Sequence, residues 1–302
     1  MAKAIPFFVS QPLMRRPPFH IQCPHTQLTL GAHTQIMGIL NTTPDSFSDG
    51  GQYLDPLLAL DRANEMIAQG AHIIDIGGES TRPKGPYGEG AIDITIKEEL
   101  KRTIPIIKQL APKVTTPISI DTTKSEVAKQ AIEAGASIVN DISALRFDPQ
   151  MAKIISQYQV PVVLMHMKGT PKTMQQNPEY DQVVEEIITF LNTQIHNAIQ
   201  AGIDRNNIII DPGFGFGKRF EHNIEILANL KAFHKIQCPI LAGPSRKQFT
   251  GPNAPPTDRL PGTLVALTQC ILSGTHIVRV HDVGQAQQAA QLADHILNHA
   301  PC

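Results

Sequence analysis

Eight short apolar runs in this sequence each end on residues that can bind or react. Asn41 follows the first. Then come Gly77, Gly78 and Glu79; Asp121; Asn140 with Asp141; His166; Asp211; Ser245 to Lys247; and His281 with Asp282, while Arg279 stands just inside the last run. Helix caps would account for Asp, Asn and Ser at such places. Caps do not require Arg279, His281, Lys247 and His166 as well. Two chemistries are mixed. Asp121, Asn140 and Asp211 offer acceptors, with a donor on Asn140, and together they suit the amino-pyrimidinone edge of a pterin or guanine. Lys247 completes the set by donating to the ring carbonyl or a ring nitrogen. For each acid taken singly, the alternative is a cap or a buried ion pair. Arg82, Arg279 and His281, supported by Asn41 and Thr81, form an anion-seeking group suited to a phosphate or pyrophosphate. Asn41 offers a neutral oxygen ligand for a bridging Mg²⁺. The competing role for Arg279 is a barrel-interior salt bridge to Asp282 or Asp211.

Two glycine-bearing segments add to this inventory. Asp211 to Lys218 (DPGFGFGK) lacks the glycine at the required offset ahead of Lys218 and the following Ser or Thr of a phosphate-binding P-loop, and it lacks G-x-G-x-x-G. It reads instead as a tight strand-to-loop turn that needs small residues for close backbone approach. The second segment, Thr42 to Gly51, is long and polar, consistent with a lid that closes over a substrate. Its Phe47 is either an anchor to the body of the protein or an aromatic wall for a ligand.

The eight runs are residues 36–40, 73–76, 118–120, 138–139, 160–165, 208–210, 240–242 and 277–280. Between them lie amphipathic helices over residues 56–69, 97–110, 125–134, 149–158, 182–201, 223–230, 261–273 and 285–298; in the first, Leu57, Leu60, Ala63 and Ile67 recur at helical spacing. Near-continuous apolar strands alternating with helices mean a parallel sheet covered by helices. Eight such units is the count of a (β/α)8 TIM barrel, which takes about 250 residues; a doubly wound open sheet rarely needs so many. In a barrel every strand end listed above converges on one rim. The organisation expected is an N-terminal extension over residues 1–27, with a short hairpin between Phe19 and Thr29, and a single barrel over residues 28–302.

Composition agrees with an enzyme of small molecules. Of 302 residues, 41% are hydrophobic and 18% charged, with a net charge of −1. That is enough apolar content for a sizeable core, and it gives no bulk electrostatic reason to bind nucleic acid or an acidic membrane. No apolar run approaches the roughly 20 residues of a membrane span. Cys23, Cys238, Cys270 and Cys302 form no C-x-x-C pair, and no secretory signal is legible. A reducing cytoplasm is expected.

Whole phrases of the sequence resemble one family. Met37 to Gly51 (MGILNTTPDSFSDGG) is similar to the first signature of the dihydropteroate synthase family, and Gly77 to Pro83 (GGESTRP) to its second. Further likenesses follow in family order: Asp121-Thr122-Thr123-Lys124, Asn140-Asp141, Met165-His166-Met167, Asp211 to Lys218, Ser245-Arg246-Lys247 and Arg279-Val280-His281-Asp282. The resemblance implies a (β/α)8 barrel, usually a homodimer, that acts as a transferase in folate biosynthesis. It would join 6-hydroxymethyl-7,8-dihydropterin diphosphate to 4-aminobenzoate, releasing pyrophosphate and 7,8-dihydropteroate. Carried over position by position, Asp121, Asn140, Asp211 and Lys247 look like the pterin pocket, with Met165 against the ring. Asn41, Thr81, Arg82, Arg279 and His281 look like the diphosphate and Mg²⁺ set, with Asn41 as the metal ligand. Phe47, Asp49, Thr81, Pro83, Ser245 and Lys247 look like the surroundings of 4-aminobenzoate, the region sulfonamides occupy. The resemblance implies that Asp121, Lys247, Arg279 and Asn41 take part in catalysis. Gln248 stands where the family usually has a Ser at a helix start near the benzoate carboxylate; it keeps the backbone N–H.

The chemistry implied is an SN1-like substitution. Cleaving the carbon–oxygen bond at the pterin methylene leaves a cation delocalised into the ring, which Asp121 would favour, while Arg82, Arg279, His281 and Mg²⁺ would take up charge on the departing pyrophosphate. A pterin-binding methyltransferase has a related barrel but needs neither a diphosphate clamp nor a benzoate lid. A non-catalytic pterin-binding paralogue would be expected to have lost the anion-binding set.

Overall fold

The computed structural model describes residues 16–24, 26–42, 56–80 and 93–299. Two strands come first, β1 (Phe19–Gln22) and β2 (Gln27–Leu30), paired antiparallel with Phe19 opposite Leu30. Eight parallel strands follow: β3 (Gln35–Asn41), β4 (Ile73–Gly77), β5 (Ile118–Asp121), β6 (Ile138–Asp141), β7 (Val162–Met165), β8 (Ile208–Asp211), β9 (Leu241–Ala242) and β10 (Ile277–Val280). They run in the order β8-β7-β6-β5-β4-β3-β10-β9, and a bridge between Ile210 and Ile240 brings the two edges together, closing the barrel. The helices between them are α1 (Pro56–Ala68), α2 (Ile96–Leu110), α3 (Ser125–Glu133), α4 (Met151–Tyr158), α5 (Val183–Gln200), α6 (Phe220–Ala228), α7 (Leu260–Leu272) and α8 (Val283–His299). This is the (β/α)8 barrel expected from the alternation of runs and helices. The largest displacement of a boundary is at α6, which begins at Phe220 rather than Asn223, where Arg219 N donates to His222 Nδ1 at 3.2 Å and secures the first turn. Among the described residues, no helix is long and apolar enough to cross a membrane.

The two-residue period of a strand sets what each face carries. Ile36, Leu40, Ile74, Ile76, Ile118, Ile120, Leu164, Ile210 and Val280 point outward into the layer shared with the helices. The alternate positions point inward. At the N-terminal end of the strands these are Met37, Ile73, Ile138, Val163, Ile209, Leu241 and Ile277, all fully buried. Two residues further along, four of these strands turn polar on the inward side, Ile73 giving way to Asp75, Ile138 to Asn140, Ile209 to Asp211 and Ile277 to Arg279, while Met37 and Val163 are followed by the apolar Ile39 and Met165. An apolar floor therefore lies beneath a polar upper layer.

The hairpin closes that floor from below. Ile21, Cys23, Leu28 and Leu30 join the inward-facing ring as one buried cluster, with Phe19 packed against it. Arg16 fixes the entry to the hairpin. It is buried, donates from Nη1 to Thr34 Oγ1 at 2.7 Å and pairs with Asp294 of α8. Asp294 also accepts from Thr34 N and Thr34 Oγ1, both at 2.7 Å. A buried ion pair contributes little over an apolar substitute, but half of one is costly. Asp294→Ala, which strands the Arg16 cation, is expected to lower unfolding stability by about 3 kcal/mol in urea titration, whereas Arg16→Met with Asp294→Leu costs well under half of that. Equal losses in the two proteins would reject the pairing as the origin of the effect.

Candidate active site

Strand register brings the predicted residues to one mouth. Asn41 lies opposite Gly77, Gly77 opposite Asp121 and Asp121 opposite Asn140; Met165 lies opposite Asp211. Asp211 feels the charges of Lys247, Lys218 and Arg279, and Arg279 those of Asp75, Asp121 and Asp211. Asp121, Asn140, Asp211, Lys247 and Arg279 thus share one rim. The apolar wall beside them is a small buried cluster of Ile142, Met165, Met167, Met174 and Phe216, with Lys247 Nζ 4.0 Å from the centre of the Phe216 ring.

Arg279 does not pair with Asp282 or Asp211. Its Nε donates to Asp75 Oδ2 and its Nη2 to Asp121 Oδ2, each at 2.6 Å. Asp282 lies past the strand end and pairs instead with Arg246, whose Nε is 3.0 Å from Oδ2. Burial opposes the charge of Arg279, but Asp75 and Asp121 outweigh it and hold its proton more tightly than usual. Burial also pushes Asp121 up to about 7; Arg279 works against this, while Asp75, Glu99 and Asp141 reinforce it. Asp211 is pushed up to about 6 by burial, moderated by the Gly213 N–H at 2.7 Å and by Lys247, Lys218 and Arg279.

The glycine-rich turn after β8 is shaped by close approach. Gly213 has φ +71°, and a Cβ there would lie 2.0 Å from His166 O; at Gly217, φ +64°, it would lie 2.5 Å from Lys168 O. The turn wraps Lys218, which is buried and donates from Nζ to Gly213 O at 2.8 Å and to Phe216 O at 3.0 Å, beside His166 Nδ1 at 2.9 Å. Burial lowers the Lys218 pKa well below its usual value, opposed by Asp211 and aided by Lys247. Burial and the neighbouring cations Lys218, Arg146 and Lys168 keep His166 neutral. His166 therefore braces the turn beneath the pocket.

Other strand-end residues have partners within the protein. Glu79 Oε2 accepts from Lys124 Nζ at 2.7 Å, and Lys124 also reaches Glu99 Oε2 at 2.6 Å. Asp141 accepts from the backbone N–H groups of Ser143 and Leu145 at 2.8 and 2.9 Å, holding a turn in which Ala144 and Leu145 have positive φ. Ser245 is buried. Its Oγ accepts from His281 N at 3.2 Å and lies 3.0 Å from His281 Nδ1. After Lys247 the chain makes a three-residue 3₁₀ turn, Gln248–Thr250, and α7 begins only at Leu260, so Gln248 does not open a helix. Thr81, Arg82, Pro83, Phe47 and Asp49 lie outside the described residues.

Asp75 was not among the residues singled out from the sequence. It is fully buried and accepts from both Arg279 Nε and Asn140 Nδ2, the latter at 3.0 Å. The one signal was an acid inside an isoleucine run, Ile73-Ile74-Asp75-Ile76, at the parity that faces inward.

Residues 37–281 match the family of pterin binding enzymes. A dihydropteroate synthase of Synechocystis is 46% identical over 267 residues, covering 87% of this chain and 90% of that protein. The crystal structure of Yersinia pestis dihydropteroate synthase with a sulfonamide drug superposes with a TM-score of 0.86 at 40% identity, covering 93% of this chain and 100% of that one. The Xanthomonas albilineans dihydropteroate synthase with 4-aminobenzoic acid gives 0.85 at 38% identity, covering 94% and 100%. The chain belongs to the pterin-binding enzymes and, within them, to the dihydropteroate synthases.

Proposed function

We propose that this protein condenses 6-hydroxymethyl-7,8-dihydropterin diphosphate with 4-aminobenzoate, releasing pyrophosphate and forming 7,8-dihydropteroate, with Mg²⁺ as its metal. One observation carries the reading. Two acids, the half-buried Asp121 and the buried Asp211, face the same mouth as Arg279 and Lys247, beside a methionine and phenylalanine wall. Flat-ring acceptors and anion-holding cations are thereby in one place. The sulfonamide and 4-aminobenzoic acid bound by the Yersinia and Xanthomonas relatives support the second substrate.

Asn140 and Asp211 take the ring N–H groups, Lys247 donates to the ring, and Met165 packs against its face. His281 offers its imidazole and Arg279 its guanidinium to the diphosphate, with Arg82 and Thr81 joining them in this reading. Phe47, Asp49, Pro83 and Thr81 surround the benzoate. Ser245 acts through His281. The carbon–oxygen bond at the methylene breaks with its electron pair leaving on pyrophosphate. Asp121, ionised beside the ring, stabilises the cation left behind. The neutral aniline nitrogen then forms the carbon–nitrogen bond and loses a proton to solvent. Its lone pair needs no strong base.

The Asn41 side chain points inward at the end of β3 and makes no hydrogen bond among the described residues. Among them, too, no group of three acidic, His or Cys residues could cage a metal. A single amide oxygen fits an ion that keeps its waters and borrows phosphate oxygens. When bound, Mg²⁺ supplies charge neutralisation of the diphosphate. A homodimer fits the exposed apolar side chains of the adjacent helices α7 and α8, Val265, Leu292 and Ile296. Cytoplasmic residence fits the free, buried thiols of Cys23, Cys238 and Cys270, with burial pushing Cys23 up to about 12.

Pyrophosphate release is expected only with both substrates and Mg²⁺ present. Release that continues without 4-aminobenzoate would refute the transferase reading. Asp121→Asn is expected to keep the fold by circular dichroism and to lose about 100-fold or more in kcat; near wild-type turnover would remove the charge-stabilising role. Asp121 and Asp211 hold protons unusually well in the free protein, and ring N–H donors favour their ionised forms. Binding must then expel protons. Calorimetry in buffers of different ionisation enthalpy should show proton release near pH 6.5 and pterin affinity rising from pH 5.5 to 8; proton uptake, or a flat profile, would contradict this.

A further inference from the structure

We propose that Asp75 is a positioning residue that aims the two halves of the site, fixing the direction of Arg279 on one side and the orientation of the Asn140 amide on the other. The inference rests on the pterin-diphosphate reading above. Asp75 lies one inward position below the mouth, between Ile74 and Ile76, and is fully buried. Its Oδ2 is the shared acceptor for Arg279 Nε at 2.6 Å and Asn140 Nδ2 at 3.0 Å.

A carboxylate oxygen can only accept. Turning the Asn140 amide over would set its carbonyl oxygen against Asp75 Oδ2 near 3.0 Å, oxygen to oxygen without a proton between. Asp75 therefore dictates that Nδ2 faces down and that the carbonyl is presented away from it, as the acceptor a ring N–H requires. The same atom restrains Arg279. That side chain starts on β10, two strands from β4 across β3, and is pinned at Nε by Asp75 and at Nη2 by Asp121. With two points fixed, the plane of the guanidinium is fixed, and Nη1 makes no bond among the described residues. A planar donor aimed in advance loses less entropy when it meets an anion.

Position alone does not explain this arrangement as fold stabilisation. Arg279 already has Asp121 as an ion partner, and Asp75 adds a second carboxylate to an interior that burial makes hostile to charge. Ser119 stands opposite Asp75 in the β4–β5 register, equally buried, and serves as a packing control at the same level.

The test compares wild type, Asp75→Asn and Ser119→Ala. Asparagine keeps the shape but loses the charge and frees the Asn140 amide to turn. For Asp75→Asn, KM for the pterin diphosphate is expected to rise about tenfold and kcat to fall about tenfold, the loss of one charge-assisted hydrogen bond at each subsite. KM for 4-aminobenzoate stays within about twofold. The pH profile supplies a readout that general loosening would not move. Asp121 is faced by Arg279 of β10, Asp75 of β4, Glu99 of α2 and Asp141 of β6, and removing the Asp75 charge removes one of the influences that raise it. The acid limb of kcat should shift to lower pH. Ser119→Ala should match wild type in all three measurements. Wild-type-like constants and an unmoved acid limb in Asp75→Asn overturn the proposal, as does the same defect in Ser119→Ala. A wild-type protein that forms no product and binds neither a pterin nor inorganic pyrophosphate by calorimetry overturns the functional reading itself, and this inference with it.

Discussion

One cation between two carboxylates governs this barrel. Arg279 holds Asp75 and Asp121 at 2.6 Å each, inside walls that exclude most water. The count does not balance: two acids face one guanidinium, and Asp211 adds to the field. Because burial penalises ions, the surplus negative charge appears as the reluctance of Asp121 to ionise, with its pKa near 7. A ligand that brings N–H donors and develops positive charge complements this surplus of negative charge. The same imbalance that destabilises the free site therefore favours the transition state of the proposed reaction over the resting protein.

Such a concentration of charge is tolerable because the barrel separates it from the rest of the core by layer. Inward positions below Asp75, Asn140, Asp211 and Arg279 are Ile or Val, sealed from beneath by Ile21, Leu28 and Leu30 of the hairpin. Lys218 plays a complementary part on the opposite wall. It makes no ion pair among the described residues and is held by backbone oxygens of the glycine turn, yet its field reaches Asp211. Lys247, over the Phe216 ring, is the second cation acting on that acid. One acid pair shares an arginine, and the remaining acid sits in the fields of two lysines.

What the sequence made legible follows from local rules. Strands such as Ile73–Gly77 and Ile277–Val280 announce themselves by apolar runs, and the polar residue after each run falls on the rim once a closed barrel is assumed. Relations across the lumen were not legible. Asp75 on β4 and Asp211 on β8 are each two strands from β10 around the barrel, so the choice of Asp75 as the partner of Arg279 is set by the direction its side chain takes across the lumen, which no spacing along the chain encodes. Asp75 was hidden because an acid inside an isoleucine run looks like part of the run. The docking of the hairpin had no local signature either, since Arg16 and Asp294 are 278 residues apart. The contact of Ser245 with His281 across the β9 and β10 strand ends likewise has no signature in spacing.

Depth orders the chemistry. Along β10, Arg279 faces the lumen and His281 comes two residues later, about 6–7 Å nearer the opening at the rise of a strand. Along β4 and β5, Asp75 and Ser119 lie one inward position below Gly77 and Asp121. In the proposed reaction a flat ring reaching Asn140 and Asp211 would be bounded below by the apolar floor, while a diphosphate carried on its edge would meet Arg279 first and His281 further out. In that proposal, breaking the carbon–oxygen bond would leave the cation deep, beside Asp121, and send the anion outward past Arg279 and His281. The attacking amine must approach from the same open side, because the apolar floor and the hairpin beneath it leave no entrance from below.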